Sequence, residues 1–201
     1  MELPPCTVLR LPEALDVPYD RRLVQKTLGN GDVLELGRES GSLHDASGRL
    51  VRAWRFEPRF PGWDPSLSAL GNQQRTAVSG SGDVLFGAEG TLCRFRTDTD
   101  AFETVGELPV PIERIAVSER GALVGIVSAG FRAWVFRIDD GFVSGPYRWR
   151  SPNPGGPDEL RFHSDDTELV VTTSYTTPMG DDASDLHGWT IDLPFRSAAD
   201  R

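Results

Sequence analysis

A repeat with a period of roughly forty residues organises most of this chain, and self-similarity at such a period constrains the fold more than any local propensity does. The segment Gly121-Ala122-Leu123 aligns with Gly41-Ser42-Leu43, eighty positions earlier. The same offset places Phe131-Arg132-Ala133-Trp134 on Val51-Arg52-Ala53-Trp54 without a gap. Two separate matches at one offset indicate copies of a single structural unit.

Two further copies complete the pattern. The third begins at Gly82-Asp83-Val84 and has Phe95 where the others have tryptophan. The fourth is looser: Phe162–Thr167 resembles Ala116–Gly121, and its aromatic residue is Trp189. Trp189 comes about nine residues later than the phase of the repeat requires, so we expect an insertion, and the segment 172–188 is predicted to be an enlarged loop.

The local signals within each copy are those of β-strands. Ile112–Ser118, Ala122–Ser128 and Phe131–Ile138 are short runs rich in β-branched and aromatic residues, separated by glycines. Apolar residues occupy both parities of a strand, as in 134–136, which favours sheets that are covered on both faces. The sequence therefore predicts an all-β chain.

Four strands per unit and an aromatic residue late in the third strand are typical of a β-propeller blade. The chain resembles the WD-repeat and bacterial WD-like repeat families. Val117–Gly121 and Ser164–Thr167 resemble the Ser-x-Asp-Gly turn between the first two strands, and Arg132–Trp134 and Arg52–Trp54 resemble the third strand. The resemblance covers about Val33 to Leu193. It lacks the Gly-His pair of the eukaryotic family, and the Trp-Asp pair at 63–64 lies outside the repeat phase, so the resemblance implies an architecture and no particular activity.

The predicted organisation is one propeller-like domain over 1–201, with about four blades of four-stranded antiparallel sheet at about 32–70, 71–109, 110–152 and 157–193. Prolines between Phe56 and Leu70 restrict that stretch to an edge strand or a loop. A strand within 1–31, either 7–11 or 22–27, is expected to close the ring by completing the last blade. Two arrangements remain open: a closed four-bladed disc, or an open half that a second chain completes.

Composition excludes several classes of partner. Thirty acidic against twenty-one basic residues give a net charge of −9 and a pI near 4.8, which disfavours nucleic acid and anionic membranes. We expect a cytoplasmic chain, since no apolar run is long enough for a membrane span and the first residues do not resemble a signal peptide. Cys6 and Cys93 lack the paired spacing of a disulfide framework or a zinc ribbon, and no cofactor is indicated.

Catalytic signals are weak. The sequence contains no Gly-x-Ser-x-Gly elbow and no phosphate loop. An enzyme with an axial site, metal-assisted or not, remains an alternative because of His163 and His187. The candidate cation ligands are the oxygen-rich group Asp181, Asp182 and Asp185 with His187 on the expected insertion, although their spacing matches no calcium loop.

Binding is the leading hypothesis. Tyr175 and Met179 are predicted anchors on the insertion, because long loops on rigid scaffolds concentrate recognition. Trp63 and Trp149 lie outside the repeat phase and are predicted to be exposed interface residues. Arg148 and Arg150, which alternate with aromatic residues, are predicted to assist them.

The function predicted from these features is a non-catalytic protein- or peptide-binding module that serves as an accessory or adaptor subunit, with a polypeptide or a second copy as its partner. The two alternatives are a hydrolase-type enzyme and an acidic inhibitor or immunity-type protein. The last rests on net charge alone.

Overall fold

The described residues form antiparallel β-sheets that follow one another along the chain. The computed structural model describes residues 5–118, 121–128, 130–149, 158–163, 168–177, 179–180 and 182–190. Within these ranges there are sixteen strands in four sheets. The prediction of an all-β chain built from about four antiparallel, largely four-stranded units is confirmed.

Sheet 1 contains five strands in the order β1-β5-β4-β3-β2. Their bounds are β1 Thr7–Arg10, β2 Arg22–Thr27, β3 Val33–Gly37, β4 Ser40–His44 and β5 Leu50–Glu57. Both strands of the N-terminal segment pair within this sheet, β1 with β5 and β2 with β3. The expectation that one of them completes the last sheet is therefore wrong, and the first unit begins at β2 rather than near residue 32.

The remaining strands form three sheets in simple chain order. Sheet 2 contains β6 Thr76–Val78, β7 Val84–Ala88, β8 Thr91–Arg96 and β9 Ala101–Glu107. Sheet 3 contains β10 Ile112–Val117, β11 Leu123–Ser128, β12 Arg132–Arg137 and β13 Val143–Arg148. Sheet 4 contains β14 Glu159–Phe162, β15 Glu168–Thr176 and β16 Asp182–Thr190.

Helical structure is sparse. A 3₁₀ turn, Tyr19–Arg21, precedes β2, and a six-residue helix, α1 (Ala69–Gln74), precedes β6. Across the described ranges, no helix combines the length and the apolarity that crossing a membrane would require.

The turn between the first two strands fixes the phase of the repeat. Gly31, Gly82 and Gly121 occupy equivalent places in it, and each has a positive φ of 74° to 90° that favours glycine. The same backbone bonds close it in each sheet: Leu28 N to Asp32 O, Ser79 N to Asp83 O, Ser118 N to Leu123 O and His163 N to Glu168 O. The first copy is thus anchored at Gly31, and the alignment on Gly41 is one strand out of phase.

This shift moves Trp54 from the third strand to the fourth. Phe95 lies on β8 and Trp134 on β12, the third strands of their sheets, whereas Trp54 lies on β5. Because β1 pairs along the outer side of β5, β5 is not an edge strand, and its Trp54 is as fully buried as a third-strand residue. The extra strand therefore explains why the two positions look alike in sequence.

The expected loop over 172–188 is largely strand. β15 and β16 pair without a break from Glu168 with Thr190 to Thr176 with Asp182. The additional residues lengthen a hairpin instead of forming a loop, which agrees with the threonine-rich, β-favouring sequence of β15.

Apolar clusters between consecutive sheets hold the molecule together. Trp54 and Phe56 of sheet 1 pack with Phe95 of sheet 2. A second cluster joins sheets 2 and 3, and a third joins sheets 3 and 4, where Val127 packs with Leu169. Burial of each such side chain contributes about 1.5–3 kcal/mol, so the stability of the molecule depends on stacking between sheets.

Candidate functional site

The connection between sheets 1 and 2 forms one wall of the candidate site. It runs from residue 58 to residue 75, whereas residues 108–111 suffice to join sheets 2 and 3. Phe60 and Trp63 from this connection are 0% and 8% exposed and pack into the cluster between sheets 1 and 2. Trp63 is therefore an anchor of the segment, and its predicted exposure is wrong.

Asn72 holds the middle of this connection in one conformation. Its side chain is fully buried, with Oδ1 accepting from Asp64 N at 2.7 Å and Nδ2 donating to Asp64 O at 3.0 Å and Ser68 O at 3.1 Å. Ser68 caps α1 by accepting from Gly71 N at 3.1 Å. A short helix that would be unstable alone is thereby fixed against the sheets.

A cavity of about 530 Å³ lies between α1 and the adjoining ends of sheets 2 and 3. In an up-and-down antiparallel sheet, the connections after the second and the fourth strands lie at the same end of the strands. At this end the β7–β8 turn, the β9–β10 connection and α1 lie close together. The lining residues are Asp64, Leu67, Gly71, Gln74, Arg75, Glu89, Pro111, Ile112, Glu113 and Arg114.

Arg75 is the most buried charged group in the lining. Its side chain is 10% exposed, and Nη1 donates to Asp64 Oδ2 at 3.2 Å. Its Nε is buried and has no acceptor. Hydrogen bonds from Ser66, together with the Arg75 guanidinium, hold the pKa of Asp64 below its usual value, so this carboxylate stays charged beside the guanidinium.

Arg114 places a second guanidinium in the lining. Its Nη1 donates to the Asp158 carbonyl at 2.9 Å and, with the Gln74 amide oriented to satisfy both groups, to Gln74 Oε1 at 3.1 Å. Burial lowers the pKa of Arg114, while Asp158 and Glu113 act in the opposite direction. The Arg114 guanidinium therefore has two described acceptors, whereas the Arg75 guanidinium has one.

The rim of the cavity is mixed in character. Glu89 and Glu113 are exposed, and the two guanidinium groups face three carboxylates in the lining. Leu67, which lines the cavity, is 36% exposed, and Leu70, which precedes the lining residue Gly71 on α1, is 61% exposed. A site with an apolar rim and a few placed charged groups is typical of ligand and peptide recognition.

A second cavity, of about 320 Å³, lies at the equivalent end of the strands of sheet 1. It is lined by the segment before β2, including Leu15 and Val17, and by Arg38 of the β3–β4 turn. It is smaller, and Val17 packs into its wall against the backbone of Gly37. We therefore take the cavity beside α1 as the candidate site.

The described members of the binding surface predicted from sequence lie in different parts of the fold, with Trp63 in the cluster between sheets 1 and 2 and Trp149 in the cluster between sheets 3 and 4. Trp149 is 6% exposed and packs in the third cluster against Phe131 and Trp189, so its predicted exposure is wrong. Arg148 is exposed at the end of β13, and Arg150 lies outside the described residues. Met179 is 91% exposed beyond the end of β15. Tyr175 lies on β15 opposite Ala183, and its side chain is not among those described.

The predicted cation ligands lie along one strand. Asp182, Asp185 and His187 are on β16, where alternation places Asp182 on one face and the other two on the opposite face. Asp181 is outside the described residues. No group of three or more His, Cys, Asp or Glu side chains that could hold a metal ion is found within the part of the chain that the structure describes.

Sequence reasoning missed Arg75, Arg114 and Asp64. The available signal was the length of the connection between the first two copies, since long connections carry function more often than short ones. The misplaced phase of the first copy hid this signal, because the stretch between Phe56 and Leu70 was interpreted as an edge strand or a loop within the first unit. Asp64-Pro65-Ser66, a turn sequence before the cap Ser68, was a further signal.

Comparisons with known proteins identify the fold. No family model and no curated protein matches the chain. Among solved structures, Kluyveromyces lactis Hsv2 superposes with a TM-score of 0.58 at 14% identity, over 92% of this chain and 52% of that one. Tricorn protease gives 0.57 at 14% over 91% and 17%, and the computationally designed Ika4 protein gives 0.51 at 16% over 89% and 96%.

The chain therefore spans about half the length of Hsv2 and nearly the whole of the designed protein. At these identities the likeness shows the fold alone. Consecutive antiparallel sheets of three to five described strands, packed face to face, place this chain among proteins with a propeller-like β fold.

Proposed function

We propose that this protein is a non-catalytic polypeptide-binding module and that its partner binds at the cavity beside α1. The observation that carries the proposal is the cavity itself, in which a buried guanidinium with unused donors lies beneath an exposed apolar rim. Segments that are held rigidly by buried polar networks present such groups at low entropic cost.

The fold supports this proposal without specifying a partner. In propeller-like scaffolds, connections from several sheets lie at the same end of the strands, where one partner can contact several sheets at once. The bacterial WD-like repeat type, an adaptor role and a cytoplasmic location belong to the same proposal and rest on the sequence. The two arrangements that the sequence leaves open, a closed four-bladed disc and an open half completed by a second chain, are both compatible with this proposal.

Salt dependence separates this proposal from the acidic-inhibitor alternative. An inhibitor acting through a net charge of −9 would lose affinity steeply as salt rises, because exposed charges are screened beyond about 10 Å at 0.1 M salt. Binding in a partly buried cavity should lose much less affinity over the same range, because salt screens partly buried ion pairs less than exposed ones. A dissociation constant measured at low and high salt distinguishes the two.

The experiment is affinity selection from a synthetic library of random octapeptides with free carboxyl termini, with bound peptides identified by mass spectrometry. We expect selected peptides to bind the unaltered protein and to bind the double variant Leu67→Asp, Leu70→Asp at least about tenfold more weakly, because charge replaces the apolar rim.

Leu186→Asp is the matched control. Leu186 is 65% exposed on β16 of sheet 4, close to the 61% of Leu70. It introduces one aspartate, against two in the rim variant, on a sheet that contributes no residue to the cavity lining. Both variants should keep the melting temperature of the unaltered protein. Failure to select any peptide, or equal binding by the rim variant and the control, would overturn the proposal.

A further inference from the structure

Arg75 is more deeply buried than its single ion pair can compensate. Asp64, its partner, is 39% exposed at the side chain, and only Nη1 of the guanidinium has a described acceptor. A guanidinium carries five N–H donors in a fixed fork, and burying a donor without an acceptor is energetically unfavourable. Nε is inaccessible, whereas neither Nη is among the buried atoms without a partner, so the Nη groups are the donors that a further acceptor can reach.

The cavity offers a route for that acceptor. Arg75 lines the cavity together with Gly71 of α1. Because glycine has no side chain, α1 does not fill the cavity at this position. Arg114, the other cation of the lining, already donates to the Asp158 carbonyl and to Gln74. An anion that enters would consequently pair with Arg75 and add only a longer-range attraction to Arg114.

The surrounding charge selects the kind of anion. Asp64, Glu89 and Glu113 line the cavity against the two guanidinium groups, so the lining has one more negative than positive charge. A phosphate dianion would meet this repulsion twice over, whereas a carboxylate carries one charge and matches the guanidinium fork. The exposed Glu89 and Glu113 favour a positive charge on the same ligand, close to its carboxylate.

The apolar part of the lining indicates what accompanies the carboxylate. Ile112 is 1% exposed and Leu67 is 36% exposed, and both line the cavity with Pro111. These groups can accept one aliphatic side chain. A carboxylate next to an aliphatic side chain is the chemistry of a peptide's last residue.

We propose that the cavity binds the C-terminal carboxylate of a peptide with an aliphatic last residue and a basic residue shortly before it, with Arg75 pairing the carboxylate. This inference rests on the proposed function and specifies its ligand. The carboxylate supplies acceptors for the donors that Asp64 leaves unused, and the basic residue neutralises the acidic rim.

The test compares acetyl-Lys-Gly-Leu with its C-terminal amide and with inorganic phosphate by NMR titration of the full chain, following backbone amides of the cavity lining. The free acid should shift Gly71 and Arg114 and saturate. The amide should bind about tenfold more weakly or worse, because it lacks the charge that pairs with Arg75. Phosphate at equal concentration should leave these resonances unchanged.

Two variants make the assignment specific. Arg75→Lys keeps the charge but loses the fork geometry, so it should reduce affinity for the acid and leave the weak affinity for the amide unchanged. If that variant does not fold, Leu67→Asp places a negative charge at the exposed rim and should weaken the acid more than the amide. Arg49→Gln is the control, since Arg49 is 82% exposed in a turn of sheet 1.

Equal binding of acid and amide would overturn the inference, as would saturable binding of phosphate at the same residues. Peptides selected from the library that bind equally well as amides would leave the proposed function standing while removing this ligand. A library that yields no peptide would remove the function itself.

Discussion

The indole Nε1 of Trp54 donates to Asp100 Oδ1 at 2.8 Å and so joins sheet 1 to the β8–β9 turn of sheet 2. Asp100 also pairs with Arg52 at 3.5 Å and with Arg10 of β1. Its φ is +60°, in the left-handed region. One carboxylate therefore satisfies a fully buried tryptophan and connects two strands of sheet 1 to a turn of sheet 2.

Replacing Asp100 with alanine should destabilise the protein by about 2–4 kcal/mol, because it leaves the Trp54 N–H buried without an acceptor and puts alanine in a left-handed conformation. Asp100→Asn should cost less, since asparagine keeps an acceptor and tolerates this φ. Urea unfolding followed by tryptophan fluorescence measures both variants. Equal losses would show that the hydrogen bond to Trp54 contributes little.

Gly125 marks a close approach between sheets 3 and 4. A Cβ at this position would lie 2.6 Å from Leu169 Cδ1 and 3.3 Å from the Phe162 ring. Gly125→Val should therefore lower the free energy of unfolding by about 1–3 kcal/mol through overpacking. Gly29→Ala is the control, because a Cβ there meets nothing within 4 Å. A Gly125→Val protein as stable as the control would contradict the described packing.

The two cysteines should differ sharply in reactivity. Burial raises the pKa of the Cys93 thiol to about 12, with Glu107 adding to the effect, and Cys93 is fully buried on β8. Burial also raises the pKa of Cys6, although this residue is only half-buried. At pH 8 iodoacetamide should label Cys6 first and Cys93 only in denaturant, because the thiolate is the reactive form. Mass spectrometry of timed samples gives both rates, and similar rates in the native protein would contradict the structure.

Two turn aspartates should make stability depend on pH at the acid end. Hydrogen bonds from Ser47 and Arg49 lower the pKa of Asp45 to about 2, and Arg137 together with the Phe142 amide lowers that of Asp140 to about 2. Because the unfolded value is about 4, this stabilisation is complete above pH 4 and is lost as the pH falls from about 4 to about 2.

The double variant Asp45→Asn, Asp140→Asn should therefore show a flatter loss of stability over that window than the unaltered protein. Urea midpoints between pH 2 and pH 6 measure the difference, with Glu13→Gln, an exposed acid before β2, as the control. Parallel curves for the double variant and the unaltered protein would show that these turns do not retain their hydrogen bonds in acid.

Sheets 2 and 3 could be predicted from the sequence because one turn glycine and one core aromatic recur in each at the same distance. The phase of sheet 1 could not be predicted in this way. Strand β1, about fifty residues earlier in the chain, pairs with the outer side of β5 and buries Trp54 as deeply as a third-strand residue. The true equivalent of Gly82-Asp83-Val84 is Gly31-Asp32-Val33, whose match is evident once β2 is recognised as the first strand.

The candidate site was less accessible to prediction than the fold. Arg75 and Arg114 are ordinary arginines in sequence, and they become notable only because Asn72 fixes α1 against the sheets and buries one of them. Exposure of Trp63 and Trp149 was inferred from their absence from the repeat phase. Large aromatic side chains bury wherever a connection packs onto a core, so that inference was unsafe.

The pairing of Thr7 with Glu57 in β1 and β5 has a consequence for handling the protein. Sheets 2 to 4 need only neighbouring hairpins, but the outer strand of sheet 1 is held across fifty residues and, among the described residues, pairs along one side only. Deletion of residues 5–10 would convert β5 into an open edge strand with free backbone donors and acceptors, which invites strand-to-strand aggregation. An affinity tag fused directly before β1 carries the same risk if it draws that strand away.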